Sequence, residues 1–331
     1  MSFKPLSTLV LNQSSWDYYF SLVDFPSLSQ SYVYGSAKSQ ISNLSVVRLL
    51  LINKLGTPYA IAQILIYSYL GFVKIARINR GPLLLPPFSS SPYCDSIALD
   101  AIKSIHKYAF ANRWLFIFVM PEYDCFSTSE QNIFSFCYRR RKTPWASTYL
   151  NLTPSLDDIL SSFHSKWKYS LKKAITSGTI YSRIIPNSSN IDLFIRSYES
   201  FASSNNFNGI PSDFIRFLSM YKSPSSSSFK FNLYAAISPD GQYSSFLVSI
   251  YIGKTALYFL SLSDSVGRQR NDNYGLLWEA IRDSKSSNML YFDLGGLTNN
   301  TPAGIKRFKS RLNGTSYECP GEYILSSLLP L

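Results

Sequence analysis

Runs of apolar, β-branched and aromatic residues alternate with short polar breaks over the first half of the chain. Three runs, at 46–52, 59–67 and 71–78, have the length and composition of strands, and turn residues separate them. Between 95 and 112 the apolar positions recur at helical spacing, and 114–120 again has the composition of a strand. The pattern therefore predicts an antiparallel meander, then a helix and a further strand.

The same order of elements recurs in the second half. The pattern predicts helices over 163–175, 191–203 and 274–284, and strands over 231–237, 243–252, 255–261 and 289–294. We therefore predict an α/β (α+β) fold of two similar domains, 1–148 and 149–316, with mixed, largely antiparallel sheets flanked by helices. We expect the segment 317–331 to return to the first domain.

The last predicted strand is broken by two glycines, Gly295 and Gly296, and a strongly basic segment follows it. Glycine lets the backbone turn or approach a ligand closely, and ligands of α/β proteins bind where strands end. Between 304 and 311, four cations surround Phe308: Lys306, Arg307, Lys309 and Arg311. The sequence predicts a ligand site here, and the alternative is a solvated basic segment.

Short motifs in this region resemble a known family. The motifs are Asp293-Leu294-Gly295-Gly296, then Gly304, Arg307-Phe308-Lys309, Asn313-Gly314 and Gly321-Glu322-Tyr323. This series is similar to the C-terminal signature of the Fem-type (FemABX-like) aminoacyltransferases, which build peptidoglycan cross-bridges and belong to the wider GNAT-fold acyltransferases. The resemblance implies tandem GNAT-like domains, a role in cell-wall biogenesis, and transfer of an aminoacyl group from tRNA to an amine of a peptide or peptidoglycan precursor.

The resemblance also implies roles for individual residues. It places Lys309 beside the reacting ester, where an ammonium would stabilise the oxyanion, and Tyr258 on the acceptor side as a second catalytic candidate. Phe308 would contact the terminal adenosine of the donor. Nearby cations are expected to bind the tRNA: Lys306, Arg307, Arg311, Arg268 and Arg270. The segment 30–38 resembles the family element that binds the precursor's phosphates, which assigns Lys38 and Tyr34 to the acceptor.

Some of these residues also fit a purely structural role. Tyr258 also fits an aromatic core position, and Lys38 fits an exposed helix lysine. Tyr34 stands where the family usually has Trp. Asp293 could act as a base, but a strand-end aspartate more often caps the turn that follows it.

Two segments bear on the donor and the acceptor. The stretch 267–275, predicted to be a loop, corresponds to the loop that binds the CoA pyrophosphate in GNAT enzymes. It lacks the paired glycines, and Asp272 would repel a diphosphate. This argues against acetyl-CoA, so we predict aminoacyl-tRNA as co-substrate and no cofactor. The segment 203–206 lacks the family's diphosphate-anchoring arginine, which argues against a nucleotide-linked or lipid-diphosphate acceptor.

Charge and composition leave other readings open. The net charge of +12 favours an anionic partner such as RNA, an anionic membrane surface or a phosphorylated substrate. The basic run 139–142 is either a solvated linker or a contact to the tRNA backbone. A CoA-dependent N-acyltransferase of the same fold and a non-catalytic RNA-binding module remain alternatives.

Cysteine and histidine usage indicates the compartment and the chemistry. The four cysteines show no CxxC pairing, and no secretory signal is recognisable, which predicts reduced thiols in a cytoplasmic protein. Neither of the two histidines has the spacing of a metal ligand, so we predict no metal. The uncharged stretch 59–73, which contains Gln63 and Gly71, is too short to span a bilayer.

Overall fold

The computed structural model describes residues 7–123, 137–141, 145–222, 229–298 and 301–326. The chain divides into two compact units: unit 1 is residues 1–145 with 318–331, and unit 2 is residues 146–317. The predicted boundary after residue 148 lies inside a strand, Trp145–Asn151. Each unit has a mixed sheet flanked by helices, so the predicted fold class is confirmed.

Unit 1 contains a sheet of eight strands among its described residues. Its strands are β1 (Ser7–Val10), β2 (Ser45–Ile52), β3 (Pro58–Tyr69), β4 (Val73–Asn79), β5 (Leu83–Leu84), β6 (Trp114–Met120), β7 (Cys137–Arg141) and β15 (Glu322–Ser326). The helices are α1 (Gln13–Ser21), α2 (Tyr32–Ser42) and α3 (Cys94–Ala111), with 3₁₀ turns at Leu28–Gln30 and Phe88–Ser90. The order is β1-β2-β3-β4-β6-β15-β7, and β5 pairs with β3.

The meander of unit 1 forms because its strands are buried on both faces. β3 has eight buried residues in succession after Pro58, and α3 packs Ala98, Ile102 and Ile105 into the same core. Continuous apolar runs of this kind are typical of strands covered on both sides. The predicted strands and helix of this half are confirmed.

Unit 2 contains a seven-stranded sheet among its described residues. Its strands are β8 (Trp145–Asn151), β9 (Ile180–Ile184), β10 (Lys230–Ile237), β11 (Tyr243–Ile252), β12 (Thr255–Ser263), β13 (Tyr291–Asp293) and β14 (Thr315–Cys319). The helices are α4 (Leu156–Ser162), α5 (Ser165–Ile175), α6 (Ser188–Ser204), α7 (Ser212–Met220), α8 (Ser265–Arg270), α9 (Asp272–Ser286) and α10 (Ala303–Ser310). The order is β14-β8-β13-β12-β11-β10-β9.

The two sheets share one strand plan. Each has a single parallel pair, β4 with β6 in unit 1 and β12 with β13 in unit 2, among the pairings described. The next strand in each sheet is antiparallel to this pair. β15 lies between β6 and β7 in the first sheet, and β8 lies between β13 and β14 in the second. β15, at residues 322–326, thus joins a sheet whose other strands lie within residues 7–141.

One local prediction is wrong. The stretch 267–275 is helical rather than a loop, because it holds the end of α8 and the start of α9. Asn271 joins the two helices with φ of 64°, a left-handed conformation that Asn tolerates better than most residues. None of the helices in the described ranges has both the length and the apolar composition needed to cross a bilayer.

Candidate functional site

The glycine-broken strand end lies where β13 meets β12. Gly295 has φ of 72°, and a Cβ atom there would lie 2.9 Å from the carbonyl oxygen of Tyr258. A side chain would therefore be strained twice, by the left-handed backbone and by contact with β12. The glycine lets the chain after β13 turn close against the neighbouring strand.

The carboxylate of Asp293 holds this turn. Its Oδ1 accepts hydrogen bonds from the Ser147 hydroxyl at 2.5 Å and from the Gly295 N–H at 2.8 Å. Its Oδ2 accepts one from the Tyr317 hydroxyl at 2.6 Å. Asp293 is buried, so these bonds are needed to keep a charged carboxylate there. This is the capping arrangement expected of a strand-end aspartate.

Lys309, near the end of α10, reaches the same turn. Only 6% of the residue is exposed, and its Nζ donates to the Gly296 carbonyl at 3.1 Å. Burial lowers the pKa of Lys309 to about 8, and the nearby Asp293 carboxylate partly opposes this. No ion pair to Lys309 forms among the described residues. The sequence did not predict this degree of burial, since basic residues surround Lys309 in the chain.

Tyr258 lies beside this lysine. The Nζ of Lys309 is 5.5 Å from the centre of the Tyr258 ring, a distance at which the ring face attracts a cation. Tyr258 is half-buried, and burial raises its pKa to about 12, so its hydroxyl is neutral near pH 7. The structure thus brings together the two predicted catalytic residues, Lys309 and Tyr258. Their catalytic roles stay predictions.

Phe308 is packed by aromatic side chains of two helices. Its ring centre is 4.9 Å from that of Tyr274 in an edge-to-face contact and 6.3 Å from that of Trp167. The ring is partly buried against the core of unit 2. These contacts hold α10 in place, which in turn positions the adjacent Lys309. Stacking of Phe308 on an adenosine stays a prediction.

The other predicted donor-binding cations lie in two places. Arg307 is exposed on α10, and Lys306 and Arg311 on the same segment are partly exposed. On α8, Arg268 donates to the Ser263 carbonyl at 2.8 Å and lines an open cleft of about 280 Å³. The Arg270 Nε lies 3.9 Å from the Asp272 carboxylate. Their proposed contact with tRNA stays a prediction.

Asp272 is fully buried at the start of α9. Its Oδ1 accepts from the Tyr181 hydroxyl at 2.9 Å, and its Oδ2 accepts from the Ser244 hydroxyl at 2.6 Å. A helix start of this kind normally attracts an external anion. Here the first residue of the helix carries a buried carboxylate, which would repel a diphosphate.

The predicted acceptor residues Tyr34 and Lys38 lie on α2 in unit 1. The Lys38 Nζ is 5.7 Å from the Tyr34 ring centre. Burial lowers the pKa of Lys38 and raises that of Tyr34. The adjacent Gln30 is structural, because its fully buried amide bonds the Gln63 backbone and the Asn79 carbonyl. Acceptor binding by Tyr34 and Lys38 stays a prediction.

Sequence reasoning missed two members of the site, Ser147 and Tyr317. Both hydroxyls donate to Asp293, yet they lie 146 and 24 residues away from it in sequence. Ser147 belongs to β8, whose place beside β13 no local pattern indicates. The basic run 139–142 lies partly outside the described residues, and only the backbone of β7 is described for the rest. Within the described residues, no group of three or more His, Cys, Asp or Glu could hold a metal ion.

Comparison with known proteins agrees with this architecture. A family model described as the FemAB family matches residues 238–327. The crystal structure of FemX is 14% identical, covers 97% of each chain and superposes with a TM-score of 0.78. No curated protein sequence matches the chain.

Two further solved structures share the fold over most of their length. One is a tandem GNAT protein from the clavulanic acid biosynthesis pathway, at 10% identity, 97% and 98% coverage and a TM-score of 0.55. The other is the C-terminal domain of a putative lysylphosphatidylglycerol synthetase from Agrobacterium fabrum, at 10% identity, 96% and 93% coverage and a TM-score of 0.55.

These matches support acyltransferase activity, and the family match contains the strand end, Tyr258 and Lys309. The predicted resemblance to the Fem-type family is therefore confirmed, by the FemAB match over residues 238–327 and by the tandem GNAT fold of the whole chain.

Proposed function

We propose that this protein is an aminoacyltransferase that takes its donor from aminoacyl-tRNA. It joins the aminoacyl group through an amide bond to an amine of a peptide or a peptidoglycan-precursor-like acceptor. The observation that carries the proposal is the buried lysine at the glycine-broken strand end, Lys309, which has no carboxylate partner among the described residues. The FemAB match over the same segment supports it.

The reaction needs positioning more than it needs a strong acid or base. The acceptor amine attacks the ester carbonyl carbon, and a C–N bond forms as the carbonyl oxygen becomes an oxyanion. The oxyanion then collapses, and the bond from carbon to the ribose oxygen breaks. The ribose oxygen takes a proton from the attacking nitrogen, which became positively charged when the C–N bond formed. Holding amine and ester about 3–3.5 Å apart supplies much of the rate.

Lys309 is suited to stabilise the oxyanion. Its pKa of about 8 keeps most of the side chain protonated near pH 7. A buried ammonium interacts with a developing charge more strongly than an exposed one, because water screens it less. Its bond to the Gly296 carbonyl holds it in position before substrate arrives. The neutral Tyr258 hydroxyl beside it can donate a hydrogen bond to the acceptor or to the same oxyanion.

The choice of tRNA over CoA rests on charge. The start of α9 corresponds to the place where GNAT enzymes bind the pyrophosphate of CoA, and its first residue carries the buried Asp272 carboxylate, which would repel a diphosphate. The net charge of +12 suits a polyanionic donor. Exposed Arg307 and partly exposed Lys306 and Arg311 lie beside the proposed reaction centre and can contact tRNA phosphates.

The test compares donors directly. The protein is incubated with a labelled pool of mixed aminoacyl-tRNAs or with labelled acetyl-CoA, and with candidate amine acceptors, and products are identified by mass spectrometry. We expect loss of aminoacyl-tRNA and a mass increase of one aminoacyl residue on an acceptor. Product from acetyl-CoA alone would instead indicate the CoA-dependent enzyme. RNA binding without any product would indicate an RNA-binding module.

A further inference from the structure

The turn between β3 and β4 exposes three large apolar side chains in four residues. Leu70 is 87% exposed, Phe72 is 72% exposed and Tyr69 is 53% exposed, with Gly71 between them. Single exposed apolar residues are common on soluble proteins, but contiguous ones mark a surface that another phase or molecule covers. We call residues 69–72 the β3–β4 tip.

The tip projects beyond the end of β2. The last residue of β3 that pairs with β2 is Ile66, opposite Ser45, and β3 continues to Tyr69. Residues 67–69 pair with β4. At about 3.3 Å per residue, three residues carry the tip roughly 10 Å past the end of β2. On the other side, β4 carries Lys74 beside Trp114, the first residue of β6, so the tip is also the last part of the chain at that end of the β3–β4 hairpin.

The conformation of Leu70 is unfavourable for its residue type. Its φ is 51°, in the left-handed region where Asn or Gly is preferred and Leu is sterically disfavoured. Neither the turn nor the core of unit 1 needs a leucine there, because the side chain is almost entirely exposed. A role outside the folded chain would account for it.

Two cations lie at the end of the sheet that carries the tip, and residues 25–94, which include the tip, contain no Asp or Glu. Lys74 follows the tip and pairs with Trp114, which places the exposed Arg113 at the same end of the sheet. In the part of the chain that the structure describes, neither Lys74 nor Arg113 forms an ion pair. Phe110, 42% exposed, ends the neighbouring helix α3 at this edge.

We propose that the β3–β4 tip inserts into the interface of an anionic lipid bilayer. Leu70 and Phe72 enter the acyl boundary, Tyr69 lies at the level of the headgroups, and Lys74 and Arg113 contact anionic headgroups. Aromatic side chains with one polar end favour this interfacial position. The combination of apolar insertion and nearby cations gives the two signals that stable peripheral binding requires.

The chain offers a matched control at the opposite end of β3. Leu55 lies in the β2–β3 turn, is 88% exposed, and is followed by a glycine, as Leu70 is. Leu55→Asn removes the same apolar surface as Leu70→Asn. The β2–β3 turn differs from the β3–β4 tip in having no exposed aromatic residue. Asn suits the left-handed backbone at position 70, so Leu70→Asn keeps the turn.

The experiment is sedimentation of the full chain with vesicles of equal parts phosphatidylcholine and phosphatidylglycerol, and with vesicles of phosphatidylcholine alone. We expect wild type to bind the mixed vesicles, less tightly as salt is raised, and to bind phosphatidylcholine weakly. The double variant Leu70→Asn/Phe72→Ser should lose about tenfold or more in vesicle affinity, and Leu55→Asn should bind as wild type does. Lys74→Gln/Arg113→Gln should retain weak binding with a reduced dependence on salt.

Three results would overturn the proposal. The double variant could bind as wild type does, or Leu55→Asn could lose as much affinity as the double variant. Velocity sedimentation without lipid could also show that the wild type self-associates and the double variant does not, which would make a second copy of the chain the occupant. If the double variant does not fold, Phe72→Ser alone provides the same comparison at an exposed position with ordinary backbone. The assay contains no substrate, so its result is independent of the proposed transferase activity.

Discussion

The two sheets place different charge arrangements at the same point of their shared strand plan. In unit 1 the parallel strand β6 is followed by Glu122, whose carboxylate receives two hydrogen bonds from Arg80, at 2.7 and 3.2 Å. In unit 2 the parallel strand β13 ends in Asp293, whose three described bonds come from two hydroxyls and a backbone N–H. In unit 1 the carboxylate is thus paired with a guanidinium, whereas in unit 2 none of the three described bonds to Asp293 comes from a cation.

The difference shows that one strand plan can hold either a cation bonded to a carboxylate or a cation that is not bonded to one. A guanidinium held by both carboxylate oxygens is satisfied, so it has little to offer a substrate. In unit 2 the carboxylate is used by Ser147, Tyr317 and the Gly295 backbone, which leaves the Lys309 ammonium bonded to a carbonyl alone. A buried cation with no ion-pair contact among the described residues is unfavourable for folding and suited to stabilising an anion.

The largest effect is expected at Lys309. Lys309→Met keeps most of the side-chain bulk and removes the charge, so single-turnover transfer should fall about 100- to 1000-fold, the scale of one lost oxyanion contact of about 3–4 kcal/mol. Rapid-quench measurement with aminoacyl-tRNA checks this.

The matched control is Lys222→Met, an exposed lysine of the same unit, which should transfer at the wild-type rate. Near-normal transfer by Lys309→Met would remove Lys309 from the mechanism. A variant with no folded circular dichroism spectrum would show that the residue is structural instead.

The second expectation concerns the pH dependence of stability. The folded-state pKa of Lys309 is about 8, below the ordinary lysine value of 10.5, so the unfolded chain binds more protons between these values. The free energy of unfolding should therefore rise with pH over this interval, by about 3 kcal/mol for a shift of this size. Denaturant unfolding at a series of pH values, for wild type and for Lys309→Met, isolates the contribution of this lysine.

Only the difference between the two proteins is informative, because tyrosines and cysteines titrate in the same range. A constant difference from pH 7 to pH 11 would contradict the depressed pKa. It would also weaken the contrast with unit 1, since the charge of Lys309 would then be stabilised in the folded chain, as Glu122 stabilises the charge of Arg80.

A third expectation concerns Asp293. In Asp293→Asn the amide nitrogen cannot accept one of the three hydrogen bonds, so the free energy of unfolding should fall by about 2–3 kcal/mol. Loss of the carboxylate should also lower the pKa of Lys309 further, because that charge opposes the effect of burial. The pH-dependent rise in stability should then begin at lower pH and become larger, while its upper end stays at the pKa of the unfolded chain.

Two variants sharpen this result. Tyr317→Phe removes one bond to Asp293 and keeps its charge, so stability should fall less and the pH range should not move. Glu122→Gln in unit 1 should destabilise the protein by leaving Arg80 without its carboxylate, and it should not move the pH range either. A shift caused by Glu122→Gln would show that the pH range does not report on Lys309.

The smallest effect is expected at the glycines of the signature. Gly295→Ala places a Cβ 2.9 Å from the Tyr258 carbonyl at φ of 72°, so the free energy of unfolding should fall by about 1–3 kcal/mol. Gly304→Ala, in the first turn of α10 with no atom within 4 Å of the new Cβ, should be neutral or slightly stabilising. Thermal unfolding distinguishes them, and equal midpoints would mean that β13 and β12 separate easily.

Much of the fold could be predicted because its signals are local. The strand-forming runs of β2, β3 and β11 and the helical spacing of α3 correspond closely to the observed elements. The catalytic candidates Lys309 and Tyr258 came from the family resemblance, and the structure places them 5.5 Å apart from Nζ to ring centre. One strand, one turn and one helix fix Lys309 relative to the strand end, and the pairing of β12 with β13 brings Tyr258 to the same place.

The rest depends on contacts between distant parts of the chain. No pattern within 145–151 indicates which sheet it joins, so Ser147 could not be paired with Asp293. The stretch 267–275 was predicted to be a loop because it corresponds to the loop that binds the CoA pyrophosphate in GNAT enzymes, and no local pattern indicated the short helix α8. The burial of Lys309 follows from the packing of Phe308 on Trp167 and Tyr274, which lie 141 and 34 residues earlier in the chain.

The position of β15 near the end of the chain imposes an order on protein synthesis. When the ribosome has released residues 1–145, the first sheet has β6 and β7 but lacks the strand that lies between them, since β15 is encoded by residues 322–326. Both strands then present unpaired edges, the kind of surface on which nascent chains aggregate or recruit chaperones. The sheet of unit 1 is therefore complete only after unit 2 has been synthesised. A stop codon before residue 322 would damage the unit that was synthesised first.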